Sequence, residues 1–257
     1  MRVISVVSGK GGVGKTTTVV NLGIILASKF KKNVILIDCN ITTPHLGLYI
    51  GMHHYSTTLN DLIKDGVNKS SDEFYTHPSG AKIIPSSLAL EDLDGLDMLD
   101  LKSTIDCIKK EYTDTDIILL DCAPGFGREA IAGMSSSDEV LYVTIPYFSI
   151  VVDIVKCVHV ADDLDLKSLG LLVNMTKNNK HELTQQEIEN ITELPVISSI
   201  PFDHDIFKSL HNRIPISIAK PHSRVSKQFD MLAAFITGED VPKSKFIDRF
   251  FGLFDRY

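Results

Sequence analysis

The chemistry of this sequence is concentrated in one run near its start, Gly9-Lys10-Gly11-Gly12-Val13-Gly14-Lys15-Thr16. It fits the pattern G-x-x-x-x-G-K followed by Ser or Thr. It also follows an apolar β-rich run and precedes a helical pattern, the context in which such a loop binds phosphate. Gly9, Gly11, Gly12 and Gly14 let the backbone turn its N–H groups onto phosphate oxygens, with Val13 between them. Lys15 carries positive charge toward β- and γ-phosphates, and Thr16 offers a hydroxyl to Mg2+. Thr17 continues the helix whose N-terminus faces the anion. Lys10 puts a second lysine in the same loop, to be left in solvent or stabilised by an anion.

Other candidates stand at the ends of apolar runs. Asp38 follows Val34–Ile37 and Asp121 follows Ile117–Leu120. A carboxylate at a strand's C-terminal end, beside the phosphate loop, holds Mg2+ or its water shell; the alternative is that it caps a turn. Gly125, in Ala123-Pro124-Gly125-Phe126-Gly127, sits where a backbone N–H senses a γ-phosphate, in a loop able to take two states. Asn174 follows Leu171–Val173, and Pro201-Phe202-Asp203 follows Val196–Ile200, again at strand ends where an open α/β sheet binds ligands. The nine histidines show no metal-ligand spacing, and His45, His53 and His54 read as solvated loop residues.

The elements that must position these residues are visible as alternation. Apolar β-rich runs occur at Val3–Val7, Val34–Ile37, Lys82–Ile84, Ile117–Leu120, Val140–Thr144, Gly170–Val173 and Val196–Ile200. Most are continuous, as in parallel strands buried on both faces. Helical patterns lie between them at Thr16–Lys29, Leu101–Lys110, Arg128–Met134, Val151–Leu164, Thr184–Glu193 and Arg224–Ile236. The expected fold is α/β, a doubly wound, mostly parallel sheet with helices on both faces. The expected organisation is one domain over 1–237 and a linker and tail over 238–257.

Composition narrows the class. In 257 residues, 44% are hydrophobic and 23% charged, which excludes disorder, collagen and a disulfide mini-scaffold. The net charge of −7 disfavours nonspecific DNA binding, which needs a basic face. The apolar run Val3–Val7 is too short for a signal peptide, and no uncharged run nears the roughly 18 residues of a membrane span. Cys39, Cys107, Cys122 and Cys157 lack C-x-x-C spacing and read as reduced core thiols, with pairing across a symmetric dimer left open.

The run SGKGGVGKTT closely resembles the deviant Walker A loop of the ParA/MinD family of ATPases, and the resemblance extends over residues 1–257. ILIDCNITTPHLGLYIG at 35–51 is similar to the family's switch I, and IILLDCAPGFG at 117–127 to its Walker B strand and switch II. LLVNMTKN at 171–178 and SSIPFDHDIFKSLHNRIPI at 198–216 are similar to its base-binding segments. The resemblance implies a P-loop fold that binds ATP and Mg2+. Lys10 would reach across a homodimer to the partner's nucleotide. Thr16, Asp38 and Asp121 would hold the metal, and Asn174, Pro201 and Asp203 would flank the adenine. Lys10, Lys15, Asp38 and Asn40 would be the catalytic set. Two positions depart from the pattern. Tyr147 stands where some relatives carry glutamate, and Asn40 stands where the family usually has an aspartate that orients the attacking water. A neutral amide hydrogen-bonds a water but takes no proton. Asn40 therefore implies either a branch with slow turnover or a substitution that traps the ATP state.

The tail completes the reading. On a helical wheel Phe246, Ile247, Phe250, Phe251, Leu253, Phe254 and Tyr257 share an arc of about 160°, with Lys245, Asp248, Arg249, Gly252, Asp255 and Arg256 opposite. Such a segment docks on its own domain, binds a partner, or lies on a membrane surface. The third reading is the expectation, because aromatics with Lys and Arg suit the headgroup boundary and resemble the family's MinD-type targeting helix. The expected protein is a cytoplasmic ATPase that dimerises with ATP and attaches reversibly to the inner membrane surface through 243–257. In the ATP state it would recognise a protein partner and position division, motility or similar machinery. The alternatives are an ATP-sensing regulatory protein with negligible hydrolysis and a DNA-partitioning ATPase of the ParA type.

Overall fold

Strands buried on both faces have to be apolar at successive positions, and the sheet shows this residue by residue. A computed structural model of the chain describes residues 1–52, 55–68 and 74–242. Its elements run β1 (Arg2–Val7), α1 (Lys15–Ser28), β2 (Val34–Cys39), α2 (Leu46–Tyr49), α3 (Leu59–Asp65), β3 (Tyr75–Thr76), β4 (Lys82–Ile84), α4 (Asp100–Glu111) and β5 (Ile117–Cys122). They continue α5 (Arg128–Ser135), β6 (Glu139–Thr144), α6 (Phe148–Asp163), β7 (Lys167–Thr176), α7 (Gln185–Thr192), β8 (Val196–Pro201), α8 (His204–Asn212), α9 (Ile216–Ala219) and α10 (Arg224–Thr237). The eight-stranded sheet has the order β3-β4-β2-β5-β1-β6-β7-β8. Every pairing is parallel except β3 with β4 at one edge.

Successive residues of each strand enter opposite cores. Ile4 and Val6 of β1 join Leu36 of β2 and Leu119 of β5 under α1, α9 and α10, while Val3, Val7, Ile37 and Leu120 join the cluster under α3 to α7. The doubly wound expectation is met. β1 lies where the chain changes its direction of winding, with β5 on one side and β6 on the other. The crevice at its C-terminal end is where such sheets hold ligands.

The structure adds elements that the patterns missed. α2 and α9 are single turns of four residues, too short for a periodicity. α3 carries its signal in a capping box instead, Thr58 with Asp61, and α8 starts at a cap formed by Asp203. Three cysteines are buried as expected, but Cys107 is exposed on α4. The tail at 243–257 and the pair His53-His54 lie outside the described residues.

His77, after β3, is buried, and burial lowers its pKa to about 4 from 6.5. The unfolded chain therefore binds this proton first, so stability present above pH 6.5 is lost as pH falls toward 4, by up to on the order of 3 kcal/mol. Urea unfolding at a series of pH values should show a shallower acid loss for His77→Gln than for the parent; parallel curves would show that His77 does not titrate in this way.

Candidate functional site

The loop from Ser8 to Gly14 leaves β1 at its C-terminal end and delivers the chain into α1. Gly14 has φ +101, and a Cβ there would stand 2.2 Å from Asn174 Nδ2, so both conformation and space demand glycine. Asn174 explains the crowding. Its Nδ2 donates to the Val13 carbonyl at 2.8 Å, and its Oδ1 accepts from the Met175 N–H at 2.9 Å. Inside the loop, Lys15 Nζ donates to Ser8 Oγ at 2.9 Å, and Ser8 Oγ donates to the Lys10 carbonyl at 2.6 Å. Burial lowers the Lys15 pKa, and the charge of Asp121 acts in the opposite sense.

Two carboxylates face each other across adjacent strands, Asp38 and Asp121 standing in register on β2 and β5. Both are buried. Asp38 accepts from the N–H groups of Asn40 at 3.1 Å, His45 at 3.0 Å and Leu46 at 2.9 Å, which fixes the start of the following loop. Neither oxygen of Asp121 has a hydrogen-bond partner among the described residues. Burial pushes both pKa values up, and the charge of Asp121 pushes Asp38 further. Thr16 and Lys15 beside Asp121 pull it the other way. Orphaned carboxylate oxygens next to a threonine hydroxyl and a phosphate loop fit a hard cation such as Mg2+, with Thr16 and Asp121 as the groups that would hold it. When bound, the ion neutralises phosphate charge.

A cleft of about 420 Å3 runs from Gly11, Gly12, Gly14 and the Lys15-Thr16-Thr17 turn past Asn40 and Tyr49 to Asn174, Met175, Phe202, Asp203 and Phe207. This is the volume of a small-molecule site. At its far end Lys177 Nζ lies 4.5 Å from the Phe202 ring centroid. The apolar wall of Tyr49, Met175, Phe202 and Phe207 lies within the segments 35–51, 171–178 and 198–216 named from the sequence, although none of the four was singled out there as a site residue. His45 is exposed and lines the cleft rather than standing apart. Asp203 reaches the cleft while capping α8 through the Asp205 N–H at 2.8 Å. Pro201 ends β8 just before it.

Of the remaining candidates Asn40 lines the cleft, while Gly9, Lys10 and Gly125 lie beside it in or against the phosphate loop. Gly125, φ +81, donates its N–H to the Ser8 carbonyl at 2.9 Å. Asn40 Nδ2 donates to the Thr43 carbonyl at 2.6 Å, and the Thr43 hydroxyl donates to Asn40 Oδ1 at 3.0 Å. Lys10 points outward, 56% exposed, its Nζ 3.5 Å from Asp153 Oδ2 on α6. Gly9 lies against the same residue, and a Cβ there would be 2.3 Å from Asp153 Cβ.

The chain resembles known proteins in sequence and in fold. The profile of the ParA family, described as NUBPL iron-transfer P-loop NTPase, matches residues 1–237. An uncharacterized ATP-binding protein of Methanocaldococcus jannaschii is 32% identical over 98% of this chain and 97% of its own length. The cell division ATPase MinD of Pyrococcus furiosus superposes with a TM-score of 0.86 at 30% identity, over 92% of this chain and 98% of that one. MinD of Pyrococcus horikoshii, complexed with Mg-ADP, gives a TM-score of 0.85 at 28% identity, over 91% and 95%.

Asp121→Asn tests the cation site. The amide removes one of two facing charges, so thermal stability should hold or rise without nucleotide. Mg2+-dependent binding of a fluorescent ATP analogue should weaken by about tenfold or more, roughly 1.4 kcal/mol. Binding in EDTA should be unchanged. An equal Mg2+ dependence in parent and variant would remove Asp121 from the metal site.

Proposed function

This chain belongs to the ParA family of P-loop NTPases and is MinD-like within it, and from that premise we propose an ATPase that dimerises on ATP and positions division, motility or similar machinery at the inner face of the cell membrane. The supporting observation is the division between its two loop lysines. Lys15 is buried in the phosphate loop, whereas Lys10 stands on the rim in a loose pairing with Asp153. Only Lys15 faces its own phosphate site. Lys10 is left to meet the charge of a second nucleotide when two clefts pack together, an approach that is repulsive without added cations.

In this reading ATP and Mg2+ occupy the cleft. The loop amides from Gly9 to Thr17 and Lys15 take the phosphates, Thr16, Asp38 and Asp121 serve the metal, and Asn174, Pro201 and Asp203 border the adenine. Gly125 leaves Ser8 for the γ-phosphate. The protein partner meets the ATP state at switch I, residues 35–51. We carry over the P-loop part of the family description and not the iron-transfer part, because Cys39, Cys122 and Cys157 are buried, Cys107 stands exposed on α4, and the four cysteines form no C-x-x-C pair. Hydrolysis is slow because Asn40 has no charge and both ends of its amide engage Thr43.

Membrane attachment rests on the amphipathic pattern of 243–257; among the described residues no helix is long and apolar enough to cross a membrane. One short helix binds marginally, since ordering it costs about 1–2 kcal/mol per residue, while two tails on one dimer gain about 10²–10⁴-fold by avidity. Sedimentation with anionic liposomes should pellet the parent with ATP and much less with ADP. Lys10→Ala should bind ATP but neither dimerise nor pellet, and deletion of 243–257 should dimerise without pelleting. A truncated chain that pellets as well as the parent refutes the membrane reading, and an ATP-bound Lys10→Ala dimer refutes the role of Lys10.

Asn40→Asp puts a carboxylate against the Thr43 carbonyl, to which it has no proton to donate. The side chain leaves that ring and offers a charged acceptor to the cleft. Phosphate release at saturating Mg·ATP should rise, by up to the roughly 10²-fold at the lower end for such groups. Equal rates would make position 40 purely structural and favour the ATP-sensing alternative.

A further inference from the structure

Beyond the bonds it makes to Asp38, the loop after β2 is fastened at two further points by side chains. The first is the Asn40–Thr43 ring within the loop itself. The second comes from Glu129, in the first turn of α5. Its Oε1 accepts from the Thr42 backbone N–H at 2.8 Å, and its Oε2 accepts from the Thr42 hydroxyl at 2.9 Å. Thr42 and Thr43 are consecutive. One short path of hydrogen bonds therefore joins α5 to Asn40, at the edge of the cleft.

The position of α5 gives this path its significance. The helix begins two residues after Phe126, so it is the direct continuation of the loop that carries Gly125. Gly125 is parked on the Ser8 carbonyl, a contact the loop must give up if its N–H is to meet a phosphate. The same loop runs directly into the helix that holds Thr42.

We propose that Glu129 is a positioning residue that couples the Gly125 loop to switch I, so that the placement of Asn40 follows the state of α5. This rests on the ATPase reading above. The geometry suits a coupling element. Both carboxylate oxygens are committed to one residue, and a two-point contact fixes orientation as a single bond does not. Thr42 is exposed and Glu129 only half-buried, so the contact opens into water without stranding a buried polar group. A latch of this kind holds one arrangement and releases at low cost, as a two-state segment requires.

The test uses the full chain with Glu129→Ala, Glu129→Asp and Glu129→Gln, together with Thr42→Val. Glu129→Asp keeps the negative charge at the start of α5, where it complements the helix dipole, but shortens the reach to Thr42. It therefore separates the latch from any effect on the helix. Backbone amide exchange over 41–46 should quicken about tenfold in Glu129→Ala and Glu129→Asp, and less in Glu129→Gln, which keeps one acceptor. Single-turnover phosphate release should fall by a similar factor while the affinity for Mg·ATP stays within about twofold. Adding Thr42→Val to Glu129→Ala should change neither quantity further. Unchanged exchange over 41–46 in Glu129→Ala, or effects of Thr42 and Glu129 that multiply independently, would overturn the coupling. Exchange is read without turnover, so a parent chain that released no phosphate would refute the ATPase reading while the exchange cycle still judged the latch.

Discussion

Burying two carboxylates side by side is the constraint around which the cleft is arranged. Asp38 and Asp121 are opposite each other because β2 and β5 are parallel neighbours in register. Both are buried, so each charge has to be met by something local. Asp38 is met by three backbone N–H groups, and those bonds dictate how the chain leaves β2. The shape of switch I is in this sense a solution to the solvation of Asp38. Asp121 has no such solution within the protein. Lys15 and Thr16 stand beside it, and its oxygens remain available to a cation. One carboxylate builds the loop and the other is left for the ligand.

The phosphate loop depends on the opposite half of the sheet. Its conformation requires glycine at position 14, and a loop of glycines loses more entropy on ordering than any other. Asn174 at the far end of β7 offsets this by holding the Val13 carbonyl, and it fits only because Gly14 has no side chain. Gly9 gives way in the same manner to Asp153 on α6. Two elements from the second half of the chain thus press on a loop from its start. The loop is shaped by contacts within the protein, and preorganised donors bind an anion without paying to align themselves.

These long-range contacts mark where the sequence stops being legible. Strands buried on both faces announce themselves as unbroken apolar runs, and the glycine-lysine loop has a spacing with one physical use, so fold and phosphate site can be read directly. Asn174 is identifiable as a polar residue at a strand end, but nothing local indicates that its amide reaches the Val13 carbonyl. The outward pairing of Lys10 with Asp153 is equally hidden, because Asp153 lies within a helix that reads as an ordinary amphipathic one. The aromatic wall at Phe202 and Phe207 is legible only as part of the segment 198–216, for a different reason. Apolar residues flanking a strand and a short helix look like core until the sheet order places them on the rim of a cleft.

Asn40 shows how chemistry and folding meet at one atom. An aspartate there would add a third carboxylate beside the buried pair, and it would meet the Thr43 carbonyl with a second acceptor. Asparagine removes the charge and supplies the donor, so the loop closes on itself. The gain is a switch I whose resting form is hydrogen-bonded at Asn40, at Asp38 and, through Thr42, at Glu129. The loss is the acceptor that polarises water. The Asn40–Thr43 ring must open before that amide serves the cleft, whereas a charged residue facing solvent is already available. In the proposed ATPase, closure of this loop and the withholding of a charged acceptor are two consequences of a single NH2 group.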